Sequence, residues 1–101
     1  MGWRLLDAQL KNGIIPLVNS KHRKTLESIF ADPVRSGIKW NDIEALFVAC
    51  GGIIEKARGS RVCVELNGYF AHFHRPHPQP NTDKGAIKSV RRFLENAGVK
   101  P

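Results

Sequence analysis

Three of the four histidines lie close together in Ala71-His72-Phe73-His74-Arg75-Pro76-His77-Pro78. His72 and His74 are two residues apart, so on an extended segment both point the same way. A neutral imidazole can take a proton from a ribose 2′-hydroxyl, and an imidazolium can return one to the leaving oxygen. Paired histidines on an RNA-facing surface therefore suit metal-free RNA cleavage, with a nearby arginine to steady the developing phosphate charge. Arg61 on the preceding extended segment is the natural arginine. The plainer account is that His72 and His74 occupy an amphipathic sheet surface. A zinc site formed by His72, His74 and His77 is a lesser alternative, because two-residue spacing on a strand permits ligation without specifying it. Cys50 and Cys63 form no C-x-x-C pair and fall in no Cys–His–acid motif. The expectation is of no metal, no cofactor and two reduced thiols, with Cys50 as a small core residue.

A second group of residues suits anion binding. Lys56-Ala57-Arg58-Gly59-Ser60-Arg61 combines three cations with a glycine and a hydroxyl, a composition that can approach a phosphate closely and donate several hydrogen bonds. Further along, Lys84, Lys88, Arg91 and Arg92 fall on the polar face of a predicted helix. One RNA could touch Arg58, Arg61, Lys84, Lys88 and Arg91 together. The charge distribution agrees with this. Residues 1–55 hold 7 basic and 6 acidic side chains, whereas residues 56–101 hold 9 and 3. The excess that makes the formal net charge +7 thus lies in the half with the histidines. It favours an anionic partner.

The elements that must position these groups follow from local pattern. Asn67-Gly68 tolerates the positive φ of a tight hairpin turn. On either side, Arg61–Leu66 and Tyr69–His74 are rich in β-branched and aromatic residues. Alternation puts Val62, Val64 and Leu66, with Tyr69, Ala71 and Phe73, toward a core; Arg61, Cys63, Glu65, Phe70, His72 and His74 face outward. Gly52–Lys56 suits a third strand. A helix over Trp40–Cys50 has Ile43, Leu46 and Phe47 on one face, Asn41-x-x-Glu44 as a capping box and Gly51-Gly52 as its stop. A last helix, capped by Thr82 or Asp83, runs to about Ala97 with Ile87, Val90, Leu94 and Ala97 inward. Upstream, Ser20 caps a short helix over about Lys21–Ala31, with Leu26, Ile29 and Phe30 as its stripe; its Lys21-His22-Arg23-Lys24 start reads first as solvated charge. Before it, Trp3, Leu5, Leu6 and Leu10 could form a helical stripe that Asn12-Gly13 and Pro16 cut short. The expected fold is α+β, a three-stranded antiparallel sheet in the order helix, three strands, helix, with both helices on one face and an N-terminal helical extension over residues 1–38. No apolar run reaches the roughly 20 residues that cross a bilayer, and no secretion signal is evident, so the expectation is a cytoplasmic protein away from the membrane.

The helix ending in Cys50-Gly51, Gly59-Ser60 before a strand, the histidine ending the second hairpin strand, the helix start Thr82-Asp83-Lys84-Gly85-Ala86-Ile87-Lys88-Ser89-Val90, and the closing Asn96-Ala97-Gly98-Val99 together resemble the HicA toxin family. These are small bacterial mRNA interferases of type II toxin–antitoxin systems. The resemblance covers roughly residues 39–99 and leaves 1–38 outside. It implies a core like the double-stranded-RNA-binding fold, sequence-tolerant binding and cleavage of mRNA, and a HicB-like antitoxin covering the active face. The family's catalytic histidine directly follows the Gly-Ser pair, and here that position is Arg61. Arginine can hold a phosphate but cannot shuttle protons near neutral pH. Two readings follow: His72 or His74 performs the role from the adjacent strand, or the chain is a non-catalytic RNA-binding or partner-binding module. Carried onto this chain, the site comprises His74 and His72 as catalytic groups, with Lys56, Arg58, Gly59, Ser60, Arg61, Lys84, Lys88 and Arg91 as RNA contacts.

Overall fold

A computed structural model describes residues 19–101; the proposed stripe through Trp3, Leu5, Leu6 and Leu10 lies outside them. In chain order the elements are α1 (Ser20–Ile29), β1 (Ile38–Lys39), α2 (Trp40–Ala49), β2 (Ile53–Lys56), β3 (Arg61–Leu66), β4 (Tyr69–His74), β5 (Asn81–Thr82) and α3 (Lys84–Asn96). Strands β2, β3 and β4 form an antiparallel sheet in that order. The fold is α+β, consistent with the double-stranded-RNA-binding type.

The hairpin forms where the sequence places it. Asn67 (φ 52°) and Gly68 (φ 85°) supply the two positive-φ positions of the turn. The Asn67 side chain donates to the Ala97 carbonyl at 2.8 Å, which ties the turn to the end of α3. Val62, Val64, Leu66 and Phe73 are buried and pack with Ile43, Leu46 and Phe47 of α2 and Ile87, Val90, Phe93 and Leu94 of α3. Tyr69, expected inward, is half exposed because it opens β4 at the sheet's end. Gly52 permits a close approach: a Cβ there would lie 2.8 Å from the Phe47 carbonyl oxygen.

Two local expectations are corrected, and one pairing is added. The cap of α1 is Asn19, whose side chain accepts from the His22 amide at 2.9 Å, and not Ser20. Asn41 and Glu44 form no capping box: the residue at the cap of α2 is Lys39, two positions earlier, and the Glu44 carboxylate binds Trp40 and Arg75 instead. A short β1–β5 pairing, Ile38 with Thr82 and Lys39 with Asn81, joins the starts of α2 and α3. Within the segment read as an extension, α1 contributes Leu26 and Ile29 to the same core.

Candidate functional site

Strand β4 is an edge strand; among the described residues it pairs with β3 alone. Its buried residue Phe73 sits between the two histidines in sequence and anchors them. The ring lies 5.6 Å from Trp40, 5.8 Å from Phe47 and 5.9 Å from Phe93, centroid to centroid. Offset and edge-on pairs at these separations add packing energy beyond burial. His72 and His74 are consequently held outward on a fixed backbone, and both are exposed.

Register brings the candidate groups together. Arg61 stands opposite His74, Cys63 opposite His72, and Glu65 opposite Phe70. The Arg75 amide donates to the Ser60 carbonyl at 2.8 Å, which makes 60–75 a hydrogen-bonded pair position. Arg61–His74 is therefore the intervening kind of pair, in which facing side chains come nearest. The middle row of the open face reads Glu55, Cys63, His72 across three strands. Cysteine stands at its centre, so this is not the order of a nucleophile, a base and an orienting acid.

The end of β4 is fixed by an ion pair the sequence did not disclose. Arg75 donates to both Glu44 oxygens, Nε to Oε2 at 2.8 Å and Nη2 to Oε1 at 3.0 Å. Trp40 Nε1 donates to the same carboxylate. Burial alone would raise the Glu44 carboxyl, but the hydrogen bonds from Arg75 and Trp40 and the Arg75 charge outweigh it and hold Glu44 below its ordinary value. The pair joins α2 to β4, while the Arg75 amide fastens the same residue to Ser60.

Beside β4 a groove separates the strand edge from α3. One part, a cavity of about 330 Å³, is lined by His72, His74, Asp83, Gly85, Ser89 and Trp40 among others. The adjoining part, about 260 Å³, is lined by Phe70, Ala71, Lys88, Ser89, Arg92, Phe93 and Asn96. Ser89 belongs to both, so the groove runs along β4 from the histidines to Phe70. Asp83 caps α3, accepting from the Ala86 amide at 2.7 Å.

The remaining sequence candidates divide. Lys56, Arg58, Gly59, Ser60 and Arg61 cluster in or beside the β2–β3 loop, all exposed, and Lys84 and Lys88 are exposed on α3. Arg91 is drawn elsewhere. Its Nε and Nη2 donate to the Ile29 carbonyl at 3.0 and 2.9 Å, and Nη2 also reaches the Ala31 carbonyl at 2.8 Å. It also lies 5.8 Å from the Phe30 ring centroid. The next residue, Arg92, lines the groove instead. Sequence reasoning passed over Phe70, Ser89, Arg92 and Asn96 as site residues. The spacing Lys88, Ser89, Arg92, Asn96 marks one helical face and could have found the last three.

A separate cationic concavity of about 370 Å³ lies between α1 and the segment before α2, lined by Lys21, Lys24, Arg35 and Lys39 with Thr25, Ser28 and Ser36. Asp42 also borders it, 3.7 Å from Lys21. Among the described residues no group of three or more His, Cys, Asp or Glu side chains is arranged to hold a metal ion. Nor is any of their helices long and apolar enough to cross a membrane.

The family model described as HicA toxin of bacterial toxin-antitoxin matches residues 40–99, more than half of the chain. No curated protein and no solved structure matches it.

Proposed function

The chain belongs to the HicA toxin family of bacterial toxin–antitoxin systems, and from that premise we propose that it binds mRNA along the β4–α3 groove and cleaves it with the histidines of β4. The observation that carries this reading is the register of Arg61 against His74. Arg61 occupies the place where the family resemblance expects the catalytic histidine, and an imidazole stands directly across from it. One imidazole, neutral, takes the 2′-hydroxyl proton; the 2′-oxygen attacks phosphorus, and the bond to the 5′-oxygen breaks. The other, protonated, gives its proton to that oxygen. Arg61 holds the phosphate as charge builds on it. The products are a 2′,3′-cyclic phosphate and a free 5′-hydroxyl, and no step requires a metal.

The β2–β3 loop, with Lys56, Arg58, Gly59 and Ser60, guides the RNA backbone toward Arg61, and Lys84 and Lys88 hold it on the α3 side. A HicB-like antitoxin covers this face in the bacterial cytoplasm. Purified full-length protein incubated with single-stranded RNA in chelator is expected to give cyclic-phosphate ends, with His74→Ala slowing cleavage at least a hundredfold and His72→Ala reducing it as well. Cleavage unchanged in both variants would sink the histidine mechanism. Arg61 itself favours a second reading, a binding module of the same fold that does not cut. That reading predicts salt-sensitive RNA binding, weakened by Arg61→Ala, and no cleavage by the unaltered protein.

A further inference from the structure

Phe70 is the most exposed large apolar side chain among the described residues, at 65% of its full accessibility, and neither hairpin geometry nor core packing accounts for it. It stands two residues before His72 and four before His74, on the same side of the same edge strand. It also lines the part of the groove that holds Lys88, Ser89, Arg92 and Asn96. An aromatic face, two cations, a hydroxyl and a side-chain amide thus converge on one cavity that adjoins the histidines. We propose that this cavity is a nucleotide subsite of the RNA groove. The base of a single-stranded RNA stacks on Phe70, Ser89 and Asn96 meet polar edges of the base or ribose, and Lys88 and Arg92 hold its phosphates.

The charge pattern selects this occupant. On the open face of the sheet, Glu55 and Glu65 stand on β2 and β3 and repel a phosphate chain. The cavity beside Phe70 is lined by two charged groups, Lys88 and Arg92, both positive, while Glu65 stands across from Phe70 on β3 and turns a phosphate chain away from the open face. A polyanion therefore follows the edge of β4. Stacking on an aromatic ring requires an unpaired base, because bases inside a duplex offer no free face. Strand rise sets the separation. Four residues at about 3.3 Å each put Phe70 roughly 13 Å from His74, so the stacked base belongs to a nucleotide removed from the one whose phosphate is cut. The subsite thus fixes the register of the strand and makes the protein prefer single-stranded over duplex RNA. This inference rests on the RNA-binding reading above.

The test is fluorescence anisotropy of the full-length protein at low salt with an end-labelled single-stranded RNA of twelve nucleotides, its 2′-hydroxyls methylated against cleavage, and with the same strand in a duplex. Wild type is expected to prefer the single strand. Phe70→Leu, which keeps an apolar group but removes the ring, should lose roughly ten- to hundredfold in affinity for the single strand and little for the duplex. Phe70→Trp should restore it. Single-strand binding unchanged in Phe70→Leu overturns the subsite while leaving the RNA-binding reading intact. Absence of RNA binding by the wild type overturns that reading and the subsite with it. If Phe70→Leu keeps its RNA affinity but no longer binds the antitoxin, the side chain serves the protein partner, and the subsite is again rejected.

Discussion

Two concavities among the described residues carry positive charge in different company. The one between α1 and the segment before α2 is ringed by Lys21, Lys24, Arg35 and Lys39 and by hydroxyls, with no aromatic or histidine side chain. The β4–α3 groove has fewer cations but adds Phe70, His72 and His74 on a rigid edge strand. Charge alone holds a polyanion without register. An imidazole held by Phe73 beneath it, opposite an arginine, can act on a particular phosphate. The difference teaches that the richest concentration of positive charge is not where chemistry is best placed; rigidity and mixed side-chain types mark the better site.

The sharpest way to separate the two regions uses adjacent arginines on α3. Arg91 holds α1, a wall of the cationic concavity, through three hydrogen bonds to carbonyls at its C-terminal end. A cation there also complements the helix dipole. Arg91→Ala should lower stability by about 2 kcal/mol, measured by urea unfolding, because partly buried carbonyls lose charged donors. Arg92→Ala should change stability by under about 0.5 kcal/mol yet weaken RNA binding several-fold. Equal stability losses in the two variants would break the distinction between a structural and a functional cation.

That distinction also shows how far the sequence could be read. The hairpin was legible because Asn67-Gly68 and a clean alternation are local signals, and Asp83 was legible as a cap because its target amide is three residues away. Phe70 was correctly read as outward. Glu44 was misread as a capping residue because its real partner, Arg75, is 31 positions distant, and no local pattern announces such a pair. The contact of Arg91 with the end of α1 was hidden for a similar reason. One step along a helix turns a side chain by about 100°, and which of two neighbouring arginines meets α1 depends on how the helices pack. The sequence placed Arg61 and the histidines only on one face; their register, Arg61 against His74, is the one the two-residue turn sets.

The Glu44–Arg75 pair, which fixes the end of β4 beside the groove, gives the second prediction. Glu44 titrates below its ordinary value of 4.5 in the folded state, so it binds its proton more readily when unfolded. Its contribution is therefore present in full above about pH 4.5 and is lost as pH falls through the lower folded value. Glu44→Gln should be less stable than wild type at neutral pH, with the gap closing in acid. It should also cleave RNA more slowly, since the end of β4 loses its anchor. A gap that stays constant down to pH 3 would mean that the carboxylate charge does not hold the strand. The opposite limb has a different source: burial pushes the Cys50 thiol up to about 11, so its contribution fades between about pH 9 and 11.

The smallest effect is expected in the cationic concavity. Lys24 lines it and is exposed, and Asp42, which also borders it, is engaged with Lys21. Lys24→Ala should leave folding unchanged within about 0.5 kcal/mol. If an RNA long enough to leave the groove reaches this wall, the variant should lower the salt dependence of binding by about one released counterion. The loss should be the same for single strands and duplexes, since a lysine here meets phosphate and no base. A twelve-nucleotide strand and a longer one, titrated over a range of salt, separate the cases. A loss confined to single strands would show that this concavity also discriminates bases, and the contrast between charge without register and charge with an aromatic anchor would fail.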